Sequence, residues 1–218
     1  MKNVLIAAAI FSMFLGVQSQ AAPSIGDLEV VLDVYQRQSM VESSVVKTVT
    51  SEMLGKKTEY PGRVWMSKEQ FRWETDSPEK SLLVFDGSTI ISVQYPNKDL
   101  GGKLQVARGK VDAKSKGHIL ISLIMKKESL STNFDVTKVD SVGSIKTIHL
   151  KSKRPELGVT SLVITVDATK KKITELNYSD DIGNKTQLMF GPVYFNKTKA
   201  SNNFFKFSVP KGAQVTEL

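Results

Sequence analysis

Tyr60-Pro61-Gly62-Arg63-Val64-Trp65-Met66, followed by Phe71-Arg72-Trp73, Leu82-Leu83-Val84-Phe85-Asp86-Gly87 and Ile90-Ile91-Ser92-Val93-Gln94-Tyr95-Pro96, reads as a succession of short strands. Val64, Met66, Phe71 and Trp73 alternate with Trp65, Lys68, Arg72 and Glu74, the period of 2 of a half-buried sheet. Asp86-Gly87 between two apolar runs predicts a hairpin, through a type I′ turn whose positive φ both residues tolerate. Both tryptophans of the chain, Trp65 and Trp73, lie here. The stretch is expected to be an antiparallel meander with large aromatics on one face.

Upstream, Ser24 to Gln38 predicts a helix. Ile25, Leu28, Val31, Leu32 and Tyr35 fall at helical spacing, Asp27, Glu29, Asp33 and Arg37 face out, and Ser24 is the expected cap. One amphipathic helix needs an apolar surface to cover, and here that surface must be a sheet. Val41–Met53, with Val45, Lys47 and Val49 on one face, and Thr58–Ser67 are read as strands, with Pro61 marking an edge or a bulge. Gln70–Thr75, Ser81–Phe85, Ser88–Tyr95 and Lys103–Arg108 continue the series. The run at Ile119–Met125 suits a short helix ending in Lys126-Lys127, although a buried strand stays open on periodicity alone. Phe134–Val139, Ser144–Lys151, Ser161–Asp167, Ile173–Ser179, Lys185–Phe190 and Phe204–Val209 are again strands. The expected fold is mainly β with α. It is a single strongly curved antiparallel sheet, an incomplete barrel of about ten strands, covered on its concave side by the N-terminal helix and a short second helix.

Residues 1–21 have the form of a secretory leader: Lys2, an apolar run from Val4 to Val17 interrupted by Ser12, and the small-x-small site Ser19-Gln20-Ala21. Residues 22–218 are then expected to form one soluble, exported, monomeric domain. There is no cysteine, which excludes disulfides, thiol catalysis, thiolate metal sites and an acylated N-terminal cysteine. The net charge is +8, with basic residues spread over Lys56-Lys57, Lys126-Lys127 and Lys170-Lys171-Lys172. Such charge solubilises a surface; attraction to an anionic membrane is the functional alternative. No nucleic-acid partner is expected outside the cytoplasm.

Catalytic signatures are absent. There is no G-x-S-x-G elbow, H-E-x-x-H helix or P-loop. Ser122 lies four residues from His118. His149 occupies a plain strand position, and Asp180-Asp181 sits in a turn beside Gly183-Asn184, where Asp and Asn serve backbone geometry. No metal or cofactor is called for. The large apolar residues either fill an ordinary core or enclose a cavity for a lipid.

Gly62-x-x-Trp65, Phe71-Arg72-Trp73, Pro78, Leu83-Val84-Phe85-Asp86-Gly87, Tyr95-Pro96, Phe134-Asp135-Val136, Leu150-x-x-x-Arg154-Pro155 and Phe205-x-Phe207-x-Val209-Pro210 occur in this order. Together with the first helix they resemble the periplasmic outer-membrane lipoprotein carriers, the LolA family, over nearly the whole chain after the leader. The resemblance implies a half-barrel closed by helices, with lipoprotein acyl chains inside. The implied cavity residues are Leu28, Val31, Leu32, Tyr35, Trp65, Phe71, Trp73 and Phe85, with Ile119, Leu120, Leu123 and Ile124 in a lid. It implies acylated lipoproteins as cargo, an inner-membrane ABC exporter as donor and an outer-membrane acceptor. Many members carry Arg-Pro before Phe-x-Trp, an arginine tied to cargo release; here the stretch is Ser67-Lys68-Glu69. Lys68 is the implied substitute and Arg72 the other candidate. The rivals are a carrier of another lipid or glycolipid, an envelope sensor, a lipid hydrolase using Ser122/His118 or Asp180/Asp181, and a scaffold with a filled core.

Overall fold

The computed structural model describes residues 25–217 apart from 98, 100, 111–129, 197, 199 and 202. The expected leader and the expected second helix at Ile119–Met125 lie outside the described residues. Helix α1 spans Gly26–Gln36. Strands β1 (Met40–Ser51), β2 (Lys56–Met66), β3 (Phe71–Thr75), β4 (Ser81–Phe85), β5 (Thr89–Gln94) and β6 (Gln105–Lys110) follow. After the four-residue helix α2 (Leu130–Asn133) come β7 (Phe134–Val142), β8 (Ile145–Ser152), β9 (Ser161–Asp167), β10 (Lys172–Ser179), β11 (Lys185–Asn196) and β12 (Gln214–Glu217).

All of these strands form one open curved sheet of 12, in the order β12-β6-β5-β4-β3-β2-β1-β11-β10-β9-β8-β7. The count exceeds the expected ten because the short strands all join one sheet, β12 by pairing with the distant β6. Pairing of β1 with β11 joins the two meanders in the middle. Every pairing is antiparallel except that of β12 with β6, which is parallel and departs from the expected all-antiparallel sheet.

Helix α1 begins with Ile25 at its cap position, without a side-chain cap bond there; Ser24, the expected cap, lies outside the described residues. Asp27 and Glu29 in the first turn oppose the positive end of the helix dipole instead. Leu28, Val31 and Leu32 form one buried stripe against the concave face. They join Val45, Val64, Phe134, Ile148, Leu150, Leu162, Ile164, Val166, Leu176 and Leu188 in the main core.

Three local readings are corrected. Pro61 is neither on an edge strand nor at a bulge: β2 lies between β1 and β3, and its register with β1 is unbroken. The ladder to β3 stops at Gly62, and Pro61 O accepts from Asp76 N at 3.1 Å on that side. The missing N–H therefore falls where no ladder bond is needed. Strand β11 does not end at Phe190. It runs on to Asn196 through a shift in register with β1, which places Gly191-Pro192 where the ladder is already interrupted. The hairpin turn has positive φ only at Gly87 (+107°) and is not type I′. Asp86 caps it with its carboxylate, accepting from Ser88 N at 3.0 Å and Thr89 N at 2.8 Å. Burial would raise the Asp86 pKa, but these bonds, the Ser88 hydroxyl and nearby Lys206 outweigh it and hold the carboxyl below its ordinary range.

The segment Phe204–Val209, expected to be a strand, is not one. It crosses the convex face. Phe207, Val209 and Ala213 pack with Leu82, Val84, Val93 and Val106, which point away from the concave side. Strands β4–β6 are thus covered on their convex face, and the chain re-enters the sheet only at Gln214.

Candidate functional site

Strand alternation sends one set of side chains from each meander to the concave side, where α1 covers only part of the sheet. Between them lies a cavity of about 360 Å³. Its walls come from α1 (Leu32, Tyr35), the first meander (Val64, Met66, Phe71, Trp73, Leu83, Ile90) and the second (Ile164, Ile173, Leu176, Tyr178, Leu188, Phe190). The lining is mostly apolar, and the volume is within the ~300–1,000 Å³ of small-molecule sites.

Of the residues anticipated for the cavity, Leu32, Tyr35, Phe71 and Trp73 line it. Leu28 and Val31, both fully buried, pack into the core instead, because the helix turns them toward the sheet rather than along the opening. Phe85 lies behind the wall, with its ring 5.9 Å from that of Phe71. Trp65 points to the opposite face, as the alternation with Val64 and Met66 requires, and meets Phe204 edge-on at 5.5 Å. Ile119, Leu120, Leu123 and Ile124 lie outside the described residues.

Lys68 is exposed in the turn between β2 and β3, closed by Ser67 N donating to Gln70 O at 2.8 Å. Arg72 is on the convex face. Its guanidinium pairs with Glu74 (2.5 Å), donates to Phe204 O (3.0 Å) and stacks on the Phe204 ring at 5.2 Å. That arrangement fixes the C-terminal segment to the sheet.

Tyr35 ties α1 to the second meander: its hydroxyl oxygen accepts from Ile173 N at 3.1 Å. Burial outweighs this bond and pushes its pKa up to about 12, so the phenol stays neutral. Burial likewise raises the pKa of Tyr178, against a hydrogen bond with Thr186.

Two features were not singled out from sequence. Lys47 lines the apolar cavity, and burial lowers its pKa from the ordinary 10.5. The indole Nε1 of Trp73 is buried with no acceptor. Alternation along β1 had placed Lys47 beside Val45 and Val49, but nothing in the sequence distinguishes a cavity wall from a solvated face.

No catalytic arrangement assembles among the described residues. His149 Nε2 pairs with Asp140 Oδ2 at 3.0 Å on neighbouring strands. The Asp180 carboxylate is engaged in its own turn by Ile182 N (3.1 Å), Asn184 N (2.8 Å) and Asn184 Nδ2 (2.9 Å). Ser122 and His118 lie outside the described residues. No group of three metal-ligating side chains occurs among the described residues.

Residues 39–208 match the model of a family described as outer membrane lipoprotein carrier protein LolA. The chain is 28% identical over 147 residues to an outer-membrane lipoprotein carrier protein of Pseudomonas fluorescens, covering 67% of this chain and 66% of that one. A protein of the same name in Neisseria meningitidis is 27% identical over 145 residues, 66% of this chain and 65% of that one. The matches thus span just under two thirds of these relatives. Among solved structures, a LolA superfamily protein of Nitrosomonas europaea aligns with TM-score 0.44 and 8% identity, covering 86% of this chain and 99% of that one. The MucA/MucB complex of Pseudomonas aeruginosa aligns with TM-score 0.43 and 8% identity, covering 84% of this chain and 60% of that one. The family match takes in both meanders, with the cavity walls they supply, and the start of the convex-face segment, and the chain belongs to the LolA family of outer-membrane lipoprotein carrier proteins.

Proposed function

We propose that this protein is a non-enzymatic carrier that shelters the acyl chains of lipoproteins in its concave cavity while they cross the periplasm. The observation that carries the reading is the apolar cavity left between α1 and the two meanders. A sixteen-carbon chain resists leaving a membrane by about 12 kcal/mol, at about 0.8 kcal/mol per methylene, so a carrier must offer comparable apolar surface. In this reading residues 1–21 are a cleaved leader and 22–218 are one soluble, monomeric domain. An inner-membrane ABC exporter loads the cargo and an outer-membrane acceptor receives it. Hand-over needs two states of different affinity, since a ligand shifts an equilibrium only through differential binding. Ile119–Met125 is the lid in this reading, and Lys68 takes the release role.

The test is native mass spectrometry of protein purified from the periplasm, with acid release of whatever is bound. Co-purified acylated peptide or lipoprotein supports the carrier reading. A free phospholipid or glycolipid would keep the cavity and replace the cargo. A clean apoprotein that also refuses a fluorescent acyl probe would overturn the reading. Leu32 on the cavity wall supplies a second test: Leu32→Asp buries a charge against the acyl chains and is expected to lower probe affinity tenfold or more, about 1.4 kcal/mol or above. Wild-type uptake by this variant would remove α1 from the site.

A further inference from the structure

Among the described residues that line the cavity there is no Asp, Glu, Arg or His; Lys47 is the one charged side chain. It lies near the middle of β1, paired across the sheet with Tyr60 on one side and Leu188 on the other. Its ammonium is 5.4 Å from the centroid of the Tyr60 ring, and no carboxylate among the described residues pairs with it. A partly buried ammonium with only an aromatic face beside it is costly to hold. A second donor is also unused: Trp73 Nε1, on β3, is buried without an acceptor in the same wall. Thr75 and Ser81, cross-strand neighbours on β3 and β4, add hydroxyls to the lining. Both tyrosine hydroxyls of the wall are engaged, Tyr35 by Ile173 N and Tyr178 by Thr186. The free hydrogen-bonding capacity of the cavity therefore includes two strong donors and no anion.

From this we infer that the cavity takes an acyl ligand whose polar head is anionic, with Lys47 as its counter-charge and Trp73 Nε1 as a further donor to its oxygens. The inference rests on the acyl-binding cavity of the reading above and goes beyond its lipoprotein cargo, adding anionic lipids as a second ligand class. A carboxylate and a phosphate head share this chemistry: a free fatty acid would supply the first and a phospholipid the second. The ester and amide carbonyls of an acylated peptide accept hydrogen bonds but do not neutralise the lysine. Burial lowers the Lys47 pKa, as expected of an ammonium waiting for a partner, and an anion beside it would act in the opposite direction.

The experiment titrates the wild-type exported protein, Lys47→Met and Lys47→Arg calorimetrically with three twelve-carbon probes below their micelle concentrations. The probes are dodecanoate, dodecyl phosphate and the uncharged 1-dodecanoylglycerol. The wild type is expected to bind at least one anionic probe roughly tenfold more tightly than the glycerol ester, the scale of one desolvated charge pair. Lys47→Met loses that gap, and Lys47→Arg keeps it. Preference for dodecanoate points to a fatty acid and preference for dodecyl phosphate to a phospholipid; either supports the inference. Equal affinity of the wild type for charged and uncharged probes, or a gap that survives in Lys47→Met, overturns it while leaving the acyl cavity in place. Failure to bind all three probes overturns the acyl-carrier reading as well.

Discussion

At the scale of single residues, position on a strand decides role more than residue type does. Trp65 and Trp73 belong to the same motif, yet one secures the convex face and the other walls the cavity. Phe71 and Phe85 are a touching pair, but only Phe71 reaches the opening. Tyr35 combines a cavity position with a structural bond to Ile173, and this has a measurable consequence. Its pKa is raised to about 12 in the folded protein. The unfolded chain releases the phenolic proton near pH 10, so its contribution is intact below about pH 10 and is lost as the pH rises toward 12. Tyr35→Phe should remove that component. Urea unfolding from pH 9 upward is expected to show the wild type losing up to about 3 kcal/mol more than the variant. Identical pH profiles would mean that Tyr35 is solvated in the folded protein.

At the scale of elements, the C-terminal segment is a second cover. Helix α1 and the segment from Phe204 to Ala213 lie on opposite faces of the sheet, and each buries side chains of one parity. Phe204 anchors the segment through Trp65, Phe205 and the Arg72 guanidinium. Phe204→Ala is expected to cost about 2 kcal/mol, since a half-buried aromatic with two edge contacts is lost. Chemical denaturation gives that number, and uptake of an acyl probe by the folded variant should stay at the wild-type level. A loss of uptake without a loss of stability would place this segment in the functional site. The same geometry accounts for Arg72, whose guanidinium is engaged on the convex face with Glu74 and Phe204.

At the scale of the whole molecule, the cavity belongs to neither meander alone. Its walls join strands from the first hundred residues to strands from the last sixty, brought together where β1 pairs with β11. A ligand in the cavity should therefore stabilise both halves at once. At a hundredfold excess over Kd the added stability is about 2.7 kcal/mol. For a chain of this size it corresponds to a rise in Tm of roughly 5–10 °C in a single transition. Differential scanning calorimetry with a bound acyl ligand checks this. Two transitions, only one of them shifted, would mean that the halves fold independently and that the one-domain reading is wrong.

Much of the architecture was legible in the chain because a half-buried strand has an exact period of 2. The strand Ser161–Asp167 was read at its observed limits, and the Ser81–Phe85 strand of the hairpin likewise, because turn residues bracket them on both sides. The stripe of Leu28, Val31 and Leu32 announced a helix on a sheet for the same reason. The reading failed where long-range pairing overrode local signals. Gly191-Pro192 looks like a terminator until a shift in the β1 register accommodates it, and Phe204–Val209 alternates like a strand although its side chains cover a sheet face. The site was legible only in part. Alternation placed Val45, Lys47 and Val49 on one side of β1, and Phe71 and Trp73 together on β3. Which of these residues face an opening, and which are sealed behind it, depends on how far α1 reaches across the concave face and on strands more than a hundred residues away. That is a matter of packing between distant elements, and only the tertiary structure decides it.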